Sequence, residues 1–245
     1  MKKRYRYILF DINGTLLNYW ETKINSYHYT FSEICKRYNK NYSDRYISAF
    51  NKIEKDLNEK GVDQKIASIR RFEIFLLQEF NEGSKSIAAF YRNMYNEFIN
   101  RNISVYSDVV PVLSKIKGSD ITMCIISNGP FENQKLRLKQ AGILSYFDKL
   151  FFSQVIGNRK PEADFYNYVF NSLSIKNSDA IVVGDSLKED YLGAKSYGVD
   201  ALLLDRKNVN INTSINSNKI NSLSEIDNFV EFYSRVRNEP NASAG

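Results

Sequence analysis

The sequence predicts an α/β protein, a doubly wound, Rossmann-like parallel sheet with an inserted α-helical unit. Three observations predict it. From residue 105 onward, short apolar runs that end in Asp, Ser or Gly alternate with amphipathic stretches of helical length. Residues 18–104 interrupt that alternation after the first apolar run, with helical periodicity, no proline and only Gly61 and Gly83. The 245 residues are 43% hydrophobic and 25% charged, enough for one large domain or a domain carrying a smaller one. The expected division is a core of 1–17 with 105–240, a helical insert of 18–104, and a disordered tail of 241–245.

Residues 5–10 form a short apolar run stopped by Asp11, which reads as a buried strand feeding the glycine-containing turn Asn13-Gly14-Thr15. Within the insert, Ile66, Ile69, Phe72, Phe75, Leu76 and Phe80 share one helical stripe, and Ile87, Phe90, Tyr91, Met94 and Phe98 share another. Both read as packing between helices. Beyond it, 109–116 reads as a helix and 122–126 as a buried strand ending at Ser127. Next come a helix over 132–141 closed by Gly142, a strand over 149–153 and a helix over 164–173. The strand 180–183 ends at Gly184-Asp185, a helix spans 191–197, and a strand covers 200–204. The Asn- and Ser-rich segment 207–222 reads as a surface loop and 223–235 as a last helix.

Composition narrows the function. The net charge of +6 is spread evenly: 18–104 carry 14 basic and 11 acidic side chains, the remainder 20 and 17. No basic block or stripe emerges, so nucleic acid is not an expected partner. No run of 18 apolar residues predicts a membrane span, and four apolar residues after the basic N-terminus are too few for a signal peptide. Cys35 and Cys124 cannot make a disulfide scaffold and point to a reducing cytoplasm. A single histidine, His28, leaves no His-rich zinc site and reads as a surface or half-buried helix residue.

Ligands of open parallel sheets bind beyond the carboxyl ends of the strands. Those ends offer Asp11, Ser127-Asn128 and Asp185, and a loop adds Lys160. Two carboxylates, a hydroxyl and a lysine on one edge suit transfer of a phosphoryl or other electrophilic group, with Asp11 as a carboxylate nucleophile. Positive charge must offset its repulsion from a phosphate dianion. Lys160 is one source, and Mg2+ held by Asp11 and Asp185, with Asp190 nearby, is another. Ser127 and the N–H groups of Asn13-Gly14 and Asn128-Gly129 are candidate phosphate donors.

These residues carry a resemblance. Phe10-Asp11-Ile12-Asn13-Gly14-Thr15 resembles the first motif of the haloacid dehalogenase-like superfamily. Ile125-Ile126-Ser127-Asn128-Gly129 resembles the second, Arg159-Lys160-Pro161 the third, and Val182-Val183-Gly184-Asp185-Ser186-Leu187-Lys188-Glu189-Asp190 the fourth. The insert resembles the helical cap of the subclass with phosphoglycolate phosphatases, pyrimidine 5′-nucleotidases and 2-haloacid dehalogenases. The resemblance implies Asp11 as nucleophile and metal ligand, Ser127 and Lys160 holding the phosphate, and Asp185, Asp190 and the Asn13 carbonyl at a Mg2+ site. It implies a small phosphorylated substrate; a monomer or homodimer is expected. Gly14, Asn128 and Tyr19, the last just beyond the first motif, are further substrate-binding candidates.

One position departs. Phosphatases of this superfamily place an acid/base aspartate two residues after the nucleophile; here it is Asn13. An amide hydrogen-bonds but exchanges no proton near neutral pH. General acid–base help is worth ~10²–10⁴ in rate, so slow turnover is expected. Two alternatives follow, a catalytically weakened member that binds a phosphorylated ligand or partner, and a metal-independent 2-haloacid dehalogenase.

Overall fold

The computed structural model describes residues 2–208 and 218–232, apart from the side chains of residues 64 and 65. The chain separates into two compact units, Met1–Asn18 with Ser104–Gly245 and Tyr19–Ile103.

Among the described residues, the first unit is built on a sheet of six strands in the order β3-β2-β1-β4-β5-β6. They are β1 (Tyr7–Phe10), β2 (Thr122–Ser127), β3 (Lys149–Phe152), β4 (Ala180–Gly184), β5 (Asp200–Leu204) and β6 (Lys219–Ile220). Every pairing is parallel. β1 lies between β2 and β4, with Phe10 in register with Ile125 and Val183. Strands covered on both faces read as unbroken apolar runs, and Ile8, Leu9, Phe10, Cys124, Ile125, Ile126, Val182 and Val183 are fully buried. The surrounding helices include α5 (Val109–Lys117), α6 (Phe131–Gln140), α8 (Ala163–Leu173) and α9 (Gly193–Ser196), with a short turn, α7 (Ser153–Ile156), after β3.

Three expectations are corrected. The helix expected from 191 begins earlier, as a π-helical stretch at Leu187–Leu192 capped by Ser186, whose Oγ accepts the Glu189 N–H. The expected last helix over 223–235 is a 3-10 stretch, Leu223–Asn228, and then Val230 bridges Lys3 beside β1. A capping box between Ser222 and Glu225 starts that stretch, but the bridge to Lys3 draws the backbone out of helix. Residues 233–235 and the tail 241–245 lie outside the described residues. The loop read over 207–222 holds β6, which pairs with the end of β5; its centre also lies outside them.

The second unit comprises α1 (Tyr19–Arg37), α2 (Arg45–Glu59), α3 (Gln64–Phe80) and α4 (Lys85–Asn102). Its core is aromatic: Tyr27, Phe31, Phe50, Phe72, Phe75 and Tyr95 are buried and make edge and stacked contacts. The two predicted stripes narrow in the structure. Phe72, Phe75, Leu76, Phe80 and Tyr91 are buried, whereas Ile66 and Phe90 are more than half exposed. Tyr91 takes the inward place beside Phe90, one helical step away. His28 meets the Tyr42 hydroxyl at 2.7 Å. Among the described residues, no helix is long and apolar enough to cross a membrane.

Candidate active site

The carboxyl ends of three adjacent strands converge. β1 delivers Asp11, whose N–H donates to Val183 O at 2.9 Å; β2 ends on Ser127; and β4 ends on Gly184, followed by Asp185. Immediately after Asp11 the chain folds tightly on itself. Leu16 and Leu17 N–H both donate to Ile12 O, and Gly14 N–H donates to Leu17 O, each at 2.9 Å. Gly14 sits at φ +86, where a side chain would be strained. Its expected part as a phosphate donor is revised, because its N–H is taken by Leu17 and its contribution is the turn.

Lys160 is the centre of the arrangement. Its side chain is 1% exposed, and Nζ donates to Asp11 Oδ1 at 2.8 Å, Asp190 Oδ1 at 2.5 Å and Ile126 O at 3.0 Å. Three acceptors saturate its three donors, as a buried ammonium requires. Burial alone would lower its pKa, but Asp11 and Asp190 outweigh that and hold it above the usual lysine range. Asn128 fixes the Lys160 backbone from both sides, Nδ2 donating to Lys160 O at 2.9 Å and Oδ1 accepting Lys160 N–H at 2.8 Å. That pairing uses Oδ1 and one of the two Nδ2 hydrogens, so Asn128 positions Lys160.

Ser127 is 2% exposed; its Oγ accepts Gly129 N–H at 3.2 Å and retains its own hydrogen for donation. Asp190 is held by the π-helical turn, Oδ2 accepting Ser186 N–H at 3.0 Å while Oδ1 takes Lys160. That wider turn returns the carboxylate at position 190 toward Asp185.

Carboxylate oxygens of Asp11, Asp185 and Asp190 all lie within 4.8 Å of one another. The Lys160 ammonium is shared between two of them, Asp11 and Asp190. Asp11 responds: burial above all pushes its pKa up, Lys160 opposes, and Asp190 and Asp185 push it further up. A cluster of hard oxygen donors at this spacing matches a divalent cation such as magnesium. The Asn13 amide oxygen is buried and has no hydrogen-bond partner among the described residues. Tyr19 opens α1 in the helical unit.

Two features escaped sequence reasoning. Arg206, just past β5, donates to Thr15 O and to Asp108 Oδ2, each at 2.9 Å, with its guanidinium 4.0 Å over the Tyr106 ring. It fastens the turn after Asp11 to the chain returning from the insert, a contact across 191 residues that no local pattern announces. Gly184 is the other: a Cβ there would overlap the Asp190 carboxyl, so only glycine admits this approach.

A profile of the haloacid dehalogenase-like hydrolases matches residues 8–204. The chain is 25% identical over 199 residues to the pyrimidine 5′-nucleotidase PynA of Streptococcus pneumoniae, spanning 81% of this chain and 83% of that one. It is 24% identical over the same length and coverage to YfnB of Bacillus subtilis, a protein named as a HAD-hydrolase. The magnesium-bound crystal structure of YfnB superposes with a TM-score of 0.77 at 22% identity, over 92% of this chain and 98% of YfnB. A 2-haloacid dehalogenase of Pseudomonas syringae shares the fold, with a TM-score of 0.70 at 15% identity over 91% and 97% of the two chains. With its four motif segments gathered on one sheet edge and the profile spanning most of its length, the chain belongs to the haloacid dehalogenase-like hydrolase family.

Proposed function

We propose that this chain is a magnesium-dependent phosphohydrolase acting on a small phosphorylated metabolite through an aspartyl-phosphate on Asp11. The observation that carries this reading is the Lys160 ammonium, buried between Asp11 and Asp190 beside a third carboxylate, Asp185. A structural salt bridge would need one partner for that ammonium. Carboxylates gathered at this spacing are what a divalent cation can use, and the cation in turn would offset their repulsion of a phosphate dianion.

Asp11, Asp185 and the Asn13 backbone carbonyl are the proposed magnesium ligands, and Asp190 braces the site through Lys160 and Ser186. When bound, the cation would offset the repulsion between Asp11 and the substrate phosphate. Ser127 Oγ donates to a phosphate oxygen and Lys160 Nζ keeps Asp11 oriented. A carboxylate oxygen of Asp11 forms a bond to phosphorus as the ester P–O bond breaks. The leaving oxygen takes its proton from water, because Asn13 has none to give. Water then adds to phosphorus and loses a proton to solvent, the bond to Asp11 breaks, and inorganic phosphate leaves. The orphaned Asn13 oxygen accepts a hydrogen bond from the leaving group or the water but cannot remove the proton. Both steps are therefore slowed and the aspartyl-phosphate persists.

The retention of Asp185 and Asp190 speaks against the metal-independent dehalogenase. The test is phosphate release from a panel of small phosphoesters, including nucleoside monophosphates and glycolate and sugar phosphates, with magnesium and with EDTA. Slow, magnesium-dependent release that Asp11→Asn abolishes is expected. No release from any ester would favour the binding-only alternative, and halide release from 2-haloacids in EDTA would favour the dehalogenase.

A further inference from the structure

The helical unit buries a second set of charges. Lys23 of α1, Glu54 of α2 and Arg71 of α3 form a triad: Arg71 Nη1 meets Glu54 Oε1 at 2.6 Å and Lys23 Nζ meets Glu54 Oε2 at 3.0 Å. Their side chains are 15%, 24% and 17% exposed in the order Arg71, Glu54, Lys23. The Tyr27 hydroxyl also donates to Glu54 Oε2, at 3.2 Å, so the one carboxylate is fully supplied. The cations are not. Two positive charges face one negative, in a setting walled by aromatic rings. Lys23 Nζ lies 5.8 Å from the Trp20 ring and 5.6 Å from the Tyr27 ring, and the Arg71 guanidinium lies 5.3 Å from the Tyr95 ring.

Two donors here have no acceptor among the described residues. Arg71 Nε is buried without a partner, and so is the hydroxyl of Tyr95, a residue only 1% exposed. That hydroxyl responds to Arg71, Glu54, Tyr19 and Tyr27, and burial holds it protonated well above the usual phenol range. Burial works against charge on Lys23 and Arg71, but their surroundings outweigh it and both stay cationic, while Glu54 is held below the usual carboxylate range. A shielded cluster with one uncompensated positive charge and two orphaned donors lacks an anionic acceptor.

We propose that Lys23, Arg71 and Tyr95 form an anion-binding site in the helical unit that takes a carboxylate or phosphate group of a small molecule. The bound oxygens accept from Arg71 Nε and Tyr95 Oη and neutralise the surplus charge. The ligand is a free small anion. The site stands independently of the hydrolase reading.

Trp20 is the sole tryptophan of the chain and lies against Lys23, so its emission reports binding without turnover. Succinate, and separately inorganic phosphate, are titrated at constant ionic strength with potassium chloride as the control. A saturable change in emission is expected. Its dissociation constant should rise about tenfold in Lys23→Met, and by about two- to tenfold in Tyr95→Phe, which deletes one donor and keeps the ring packing. An unsaturable response, or curves unaltered in both variants, would overturn the site. Saturable binding with no ester hydrolysed removes the hydrolase reading and leaves the site; hydrolysis without such binding does the reverse.

Discussion

Lys160 Nζ and Asp190 Oδ1 meet at 2.5 Å with both side chains 1% exposed, and the same ammonium holds Asp11 at 2.8 Å. Replacing Lys160 by Met leaves two buried carboxylates facing each other without a cation. Breaking a buried pair in this way costs about 3–5 kcal/mol. Phosphate release should fall by about 10²–10³-fold or more, the range for loss of a preorganised electrostatic group. Thermal unfolding with and without magnesium checks the first effect, with the metal stabilising the variant more than the parent. A variant with unchanged melting would show that the bridge is not formed in solution.

Asn13→Asp supplies the missing proton carrier. The neighbouring groups are already arranged, so turnover should rise by about 10²–10⁴-fold. Acid-quenched protein should hold less phosphate on Asp11 than the parent does. Steady-state phosphate release and quench labelling give the two readings, and an unchanged rate would support the binding-only alternative.

Gly184→Ala places a methyl group against the Asp190 carboxyl. The backbone of β4 is paired on both sides, to β1 and β5, so the carboxylate must move instead. Overpacking of this kind costs about 1–3 kcal/mol. The expected result is a lower melting temperature together with weaker magnesium dependence. Loss of stability alone, with the magnesium response intact, would count against Asp190 as the brace of that site.

Asp108 gives a pH-dependent prediction. Burial alone would raise its pKa, but hydrogen bonds from Arg206, Ser222 and Leu223 N–H outweigh it and hold the carboxyl below its ordinary value of 3.8. A depressed folded pKa means the contribution is fully present above 3.8 and disappears as pH falls through the lower folded value. Asp108→Asn should therefore be destabilised by about 1–3 kcal/mol at neutral pH. The gap to the parent should close below the ordinary carboxyl value. Denaturant melts across that range measure it, and a gap independent of pH would contradict the assignment.

The local part of the site was legible in the sequence. Asp11, Ser127 and Asp185 each follow an apolar run, and a strand that is buried until it stops presents its next polar residue at the sheet edge. Alternation with helices predicts parallel strands, because those need crossovers, but not the order that makes these three neighbours. Roles set by distant partners were not legible. The hold of the Asn128 amide on the Lys160 backbone, 32 residues away, has no local signal. Gly14 looked like a phosphate donor because its N–H partner depends on how the turn closes. The π-helical start at Leu187 defeats a reading based on a 3.6-residue period, since it widens the turn by about one residue. Ile66 and Phe90 matched a helical stripe that the packing made narrower than periodicity alone allows.

The insert leaves and re-enters the sheet unit at neighbouring points. Leu17 bridges Val105 in antiparallel fashion, Asn18 N–H donates to Ser104 O, and Tyr106 N–H donates to Leu16 O. Bringing the ends of such a detour together costs entropy that rises only slowly with its length, by about 0.6 kcal/mol for each doubling. Such a graft point makes the four-helix segment an exchangeable cassette. The contacts that hold Asp11, Lys160 and Asp190 lie wholly within the sheet unit, so the length between positions 18 and 104 can change without redrawing them.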